Sequence, residues 1–270
     1  MSMNSVNTNR QAVFALQSLN TTSSALGGVQ KRVSTGFRVA DARDDGGAFA
    51  VAQAVRSDVA GVTAVNEQLG GVKGVLQTTF AALSTVSDTM KQVRATLTRL
   101  ADGAIDTTQR AQYEEQYNQL SSQITSFIDD AKYNGKTLLE SGEDIVGIRN
   151  EDGGTFTILA TDGGELKVDA AAPADAAAAV TYLNGDFTTI DAAISTALNK
   201  FGASMQYVEN QITYNAKKVD ALNDGLGALV DADLAKESSN LQALQTRQQL
   251  GIQTLSLANQ GPQVLLSLFR

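Results

Sequence analysis

Hydrophobic residues recur at intervals of seven along most of this chain. In the central stretch Val55, Val62, Leu69, Leu76, Leu83, Met90 and Leu97 form one row, and Asp58, Val65, Val72, Thr79, Val86, Val93 and Leu100 form the row three residues on. Only Asp58 and Thr79 interrupt the second row, so the pattern is an a/d seam sustained over seven heptads. A helix from about Ala48 to Leu100 would be about 80 Å long at 1.5 Å per residue. A compact domain of this size has a radius of gyration of about 18 Å. The spacing therefore predicts a rod.

The two ends carry shorter versions of the same pattern. Ala12, Leu19, Leu26 and Val33 lie seven apart, widened by Leu16 and Val29, which predicts an amphipathic helix from Asn9 to about Thr35. Its other faces are Ser, Thr, Asn and Gln, so a single stripe without a partner frays. Gly36, the Asp41 to Asp45 cluster and Gly46-Gly47 form the expected connector, and Asp102-Gly103 the stop of the long helix. A third helix carries Tyr113, Tyr117, Leu120, Ile124, Phe127 and Ala131 and is expected to close at Asn134-Gly135.

The period then changes. Phe156, Ile158, Leu166 and Val168 alternate with polar residues around Asp162-Gly163-Gly164, as in a β-hairpin. Ala170 to Ala179, broken by Pro173, reads as a low-complexity surface connection. Heptads resume with Phe187, Ile194, Phe201, Val208, Asn215, Leu222 and Leu229, interleaved by Leu198, Met205, Ile212, Val219 and Leu226. Asn215 is the one polar residue of that row; it either fixes register between helices or is a tolerated polar site. The last segment has Leu234, Leu241, Leu244, Ile252, Leu255 and Ala258 and is expected to end near Gly261-Pro262. The fold class is thus mainly α: a long coiled-coil helical rod with a small β-hairpin insertion and paired N- and C-terminal helices.

Composition narrows the chemistry. There is no Cys and no His, which removes disulfides, thiol chemistry, the usual structural zinc ligands and the commonest general base. The net charge is -8, yet residues 1–40 hold Arg10, Lys31, Arg32 and Arg38 with no carboxylate, and residues 234–270 hold Glu237 alone against three basic residues. The acidic excess lies between two ends that can pack closely against copies of themselves. No apolar run is long enough to span a membrane. Met1 to Arg10 lacks the layout of a cleaved secretory signal, so the protein is expected to stay inside the cell or leave by a route that reads none.

Short motifs fail on inspection. Asp41, Arg43, Asp45 and Gly46 imitate the start of a calcium loop, but Arg43 replaces an oxygen ligand and the twelfth position is Ala52. Asn134-Gly135-Lys136-Thr137 imitates the end of a phosphate loop, but Asp130 replaces its first Gly. Glu114-Glu115 and Asp129-Asp130 read as solvated surface, and the scattered basic residues do not make a nucleic-acid stripe. No cofactor, metal or catalytic site is expected.

Two longer stretches are more specific. Arg32-Val33-Ser34-Thr35-Gly36-Phe37-Arg38-Val39, then Asp41-Ala42-Arg43-Asp44-Asp45-Gly46-Gly47-Ala48 and Ala50-Val51-Ala52, resemble the N-terminal signature of bacterial flagellins. Asp231-Ala232-Asp233, Glu237, Leu250-Gly251 and the closing run from Ala258 to Arg270 resemble the flagellin C-terminus. The resemblance covers roughly residues 1 to 140 and 184 to 270, and the short stretch between suggests a minimal form without large outer domains. It implies a filament subunit divided into an inner coiled-coil domain (1–40 and 234–270), a helical rod domain (41–140 and 184–233) and a hairpin-and-loop insertion (141–183).

The resemblance also implies unfolded export by the flagellar type III apparatus, and partnership with copies of itself, with cap and hook-filament junction proteins and with an export chaperone. Nucleic acid and membrane insertion are not implied. The polymerisation surface is expected on the terminal stripes: Leu16, Leu19, Leu26, Val33, Leu241, Leu244, Ile252, Leu255, Leu265, Leu266 and Leu268. In flagellins recognised by Toll-like receptor 5 the long helix carries a basic-hydrophobic patch. The matching stretch here keeps Val93 and Arg94 but has Gln92 for the first Arg and Ala95-Thr96 for a Glu-Leu pair, which implies weak activation. A hook-filament junction adaptor of the same superfamily is the alternative function, and an enzyme built on a helical rod is a remote one.

Overall fold

The computed structural model describes residues 9–267, with side chains through residue 260. Six α-helices are present among the described residues: α1 (Arg10–Thr35), α2 (Gly46–Leu100), α3 (Thr107–Asp129), α4 (Ala176–Asn184), α5 (Asp186–Val230) and α6 (Leu234–Ser267). Between α3 and α4 lie strands β1 (Ile145–Ile148) and β2 (Thr155–Ile158) and a 3-10 helix, Gly163–Leu166. The chain divides into two compact units, Met1–Ser57 with Ala221–Arg270, and Asp58–Asp220.

The larger unit is built on the a/d seam of α2. Leu69, Leu76, Leu83, Met90 and Leu97 are fully or almost fully buried, as are Val86, Val93 and Leu100. They share one core with Tyr117, Leu120, Ile124 and Ile128 of α3 and with Phe187, Ile194, Ala197, Phe201 and Val208 of α5. Packing two or more helices along a 3.5-residue period keeps each seam turned inward, which is why these positions are dry. Of the two polar positions, Asp58 is exposed, while Thr79 is buried with an Oγ1 that has no hydrogen-bond partner.

Asn215 is buried and bonds outside its own helix. Its Nδ2 and the Nε2 of Gln211 both donate to the carbonyl of Arg149, at 3.3 and 3.0 Å, so the seam Asn grips the loop between the strands. Lys218 completes the grip through an ion pair with Glu151. That contact holds the Glu151 carboxyl below its usual range and the Lys218 ammonium above its own.

Several local expectations are corrected. The hairpin pairs Ile145 with Ile158 and Ile148 with Thr155, so its turn is the Asp152-Gly153-Gly154 region, with Gly153 at φ 81°, not Asp162-Gly163-Gly164. Both triplets carry the same turn signal. The second starts the 3-10 helix instead: Asp162 accepts from the Gly164 N–H at 2.8 Å, Gly163 N donates to the Leu139 carbonyl at 3.2 Å, and that close approach leaves no room for a Cβ at Gly163. Leu166 and Val168 enter the core.

The alanine stretch is not simply a surface connection. Asp175 caps α4 through the Ala178 N–H at 2.7 Å, and Ala179 is buried in the core. α3 stops at Asp129, before Asn134-Gly135, which forms a separate tight turn at φ 48° and 75° between Tyr133 and Lys136. Gly46 and Gly47 belong to the first turn of α2, capped by Asp45, and α6 continues past Gly261-Pro262 to Ser267.

Candidate self-assembly surface

In the smaller unit α1 and α6 pack against one another as an antiparallel pair. The polar ties between them run in opposite directions along the two helices: Asn9 to Ala258, Ser23 to Gln248 and Arg32 to Glu237. α1 begins at the Asn9 cap, whose Oδ1 accepts from Ala12 N at 3.0 Å, and ends where Gly36 turns left-handed at φ 76°. α6 begins at Asp233, whose Oδ1 accepts from the amides of Ala235 and Lys236.

The connectors are tied by backbone. Arg38 N and Val39 N donate to the Val230 carbonyl, Ala232 N donates to Gly36 O at 2.9 Å, and Phe37 bridges Asp231. Arg38 also reaches the Leu229 carbonyl with its guanidinium. Beneath them Val39, Ala52 and Val230 form a small buried cluster with Ala48, Phe49, Leu226 and Leu229 around it. Asp41 and Arg43, two of the residues that imitated a calcium loop, join Lys31 and Asp44 in a charge brace: Lys31 Nζ lies 2.9 Å from Asp41 and 2.7 Å from Asp44, and Arg43 lies 3.1 Å from Asp41. Arg43 first and Lys31 second hold the Asp41 carboxyl well below the carboxylate range, and Lys31 lowers that of Asp44. The Asp41 carboxylate is thus occupied by cations of the chain itself.

Against this frame the expected surface residues whose side chains are described fall into two sets. Leu26 is buried between the helices, and Leu19, Val33, Leu241, Leu244 and Leu255 are half-buried along the same seam. Leu16 and Ile252 are exposed. Leu265 and Leu266 lie in the helical backbone of α6 beyond the described side chains, and Leu268 lies outside the described residues. The sequence reading missed Val13, Phe14, Leu250 and Leu257, which are 63%, 65%, 56% and 70% exposed. With Leu16, Leu234 and Ile252 they make seven large apolar side chains exposed on α1 and α6. The seven-residue spacing from Leu250 to Leu257 was the available signal.

The positions of the expected receptor patch lie in the larger unit. Gln92 is exposed, Val93 is buried in the core, and Arg94 is engaged by Asp191 at 3.4 Å and lies 5.2 Å from the Phe187 ring centre.

Comparison with known proteins places this arrangement. Residues 6–143 match the bacterial flagellin N-terminal helical region and residues 187–269 the bacterial flagellin C-terminal helical region. Flagellin FljO of Caulobacter vibrioides is 37% identical over 277 aligned positions spanning both chains completely. A flagellin of Brucella melitensis is 33% identical, covering 99% of this chain and all of its own. Among solved structures, Bacillus cereus flagellin aligns at a TM-score of 0.50 and 21% identity over 55% of this chain and 88% of its own. A putative flagellar hook-associated protein from Vibrio parahaemolyticus aligns at 0.61 and 12% identity over 70% of this chain and all of its own, a likeness of fold.

The class is therefore a helical structural subunit of bacterial filaments. The chain belongs to the flagellin family, whose members polymerise into the flagellar filament. No helix among the described residues is long and apolar enough to cross a membrane.

Proposed function

We propose that this chain is a propulsive filament subunit, exported unfolded through the flagellar type III apparatus and polymerised at the growing tip. Its partners are then other copies of itself, the cap and hook-filament junction proteins, and an export chaperone. The observation that carries this reading is the set of large apolar side chains left in solvent around the α1/α6 pair, in a chain that matches its flagellin relatives from end to end. Val13, Phe14, Leu16, Leu250, Ile252 and Leu257 are the residues a neighbouring copy covers, while Leu19, Leu26, Val33, Leu241, Leu244 and Leu255 hold the pair that presents them. Leu265, Leu266 and Leu268 extend the apolar content of the C-terminal end.

The inner coiled-coil domain is assigned to 1–40 and 234–270, the rod domain to 41–140 and 184–233, and the insertion to 141–183. Terminal segments gain their order on assembly, when contacts between copies offset the entropy of fixing two helices. Absence of Cys supports passage as an unfolded thread, since no disulfide has to be managed. Purified protein above a threshold concentration forms long filaments under the electron microscope, and a strain lacking the gene and its paralogues loses swimming until this gene is restored. Short, self-limiting oligomers and an adaptor-like stoichiometry of a few copies per flagellum would favour the hook-filament junction reading instead.

Weak activation of Toll-like receptor 5 is proposed as well. It is supported by the uncharged Gln92, the burial of Val93 and the engagement of Arg94 by Asp191 and Phe187. Potent activation of reporter cells by purified monomer overturns it.

A further inference from the structure

Pro262 lies within α6, where a proline nitrogen carries no hydrogen and so cannot donate to the carbonyl one turn earlier, that of Ala258. A helix interrupted in this way leaves a main-chain acceptor in need of another donor. Asn9 supplies it from the opposite end of the chain, its Nδ2 donating to Ala258 O at 2.7 Å. The Oδ1 of the same amide accepts from Ala12 N at 3.0 Å and caps α1. One side chain thus completes the backbone of two helices.

We propose that Asn9 is a clasp that holds the far ends of α1 and α6 together, and that Pro262 is what frees the acceptor it holds. The need for a clasp follows from the seam. Near the connectors the two helices are anchored by Arg32–Glu237 at 3.1 Å and by the bridge between Phe37 and Asp231. Farther out the half-buried positions of α6 are Gln248, Gly251, Leu255 and Ala258, against Ala12, Ala15 and Leu19 of α1, so the apolar seam thins toward the ends. A hydrogen bond that serves both backbones does what packing does elsewhere. Ser, Asp and Asn cap a helix about equally well, but only Asn combines the capping oxygen with an amide donor long enough to reach across.

The test is a double-mutant cycle on the full-length protein, read by hydrogen exchange with mass spectrometry in both the monomeric and the pelleted fractions. Asn9→Ser keeps a capping oxygen and loses the donor. It should speed exchange over residues 250–260 by about fivefold, the equivalent of one net hydrogen bond. In the Pro262→Ala background, residue 262 regains an N–H for Ala258, and the same Asn9→Ser change should alter exchange there less than twofold. Equal acceleration with and without Pro262, or none in either, overturns the clasp. So does exchange at the unprotected rate over residues 10–20 and 250–260 in every fraction of the unaltered protein, even where filaments form.

Discussion

Leu257 offers the sharpest separation of folding from assembly. It is 70% exposed in the single chain, so its replacement by Ser removes little that the fold uses. Full burial of a leucine side chain is worth about 2 kcal/mol, and the exposed share therefore represents about 1.5 kcal/mol still to be gained when a neighbouring copy covers it. At about 1.4 kcal/mol per tenfold, Leu257→Ser should raise the critical concentration for polymerisation about tenfold. The assay is sedimentation of filaments over a concentration series, with the soluble plateau giving the critical concentration directly. Thermal unfolding of the monomer, followed by circular dichroism, should stay unchanged within error. Gln253→Ser, an exposed polar change on the same helix, serves as the control and should shift neither quantity. A critical concentration within twofold of the parent for Leu257→Ser would show that no copy covers this residue and refute the reasoning.

Other perturbations follow from buried and charged groups. Leu26→Asp places an unpaired carboxylate in the α1/α6 seam, should cost several kcal/mol of pairing, and should abolish filaments while leaving unfolding of the larger unit intact by limited proteolysis and calorimetry. Thr79→Val should stabilise the larger unit by about 1 kcal/mol in urea unfolding, because the buried Oγ1 it removes has no partner. The carboxyls of Asp41 and Asp44 titrate lower folded than unfolded, so the stabilisation they give is present above the ordinary Asp range and is lost as pH falls through their depressed folded values. Replacing both by Asn should flatten the acid side of the stability profile, measured by denaturant unfolding between about pH 2 and pH 6, the window around an ordinary Asp.

The long seam was legible because a helix of this length averages over its own exceptions. Once Leu69, Leu76, Leu83, Met90 and Leu97 repeat at seven, no other element buries all of them at once. The paired ends were legible for the same reason, and the Asn9 to Thr35 bounds agree with α1 because the Asn cap and left-handed Gly36 are local chemistry. What failed was decided at long range. The two Asp-Gly-Gly triplets are locally equivalent, and the second is tied at long range instead, Thr161 N donating to Leu138 O and Gly163 N to Leu139 O. On α6, Gln248 and Gly251 are half-buried while Ile252 is exposed, so a reading that follows apolar residues alone mixes the seam with the outer surface. That mixing also hid Phe14 and Leu257. Their exposure is visible only after the partner helix has been placed.

The most direct measurement is a cryo-electron-microscopy reconstruction of filaments grown from the purified protein, at a resolution that places side chains. Val13, Phe14, Leu250 and Leu257 are expected within van der Waals contact of atoms from neighbouring copies. A filament in which these four side chains face solvent, with the copies held together through other surfaces, would contradict the assembly role assigned to the α1/α6 pair.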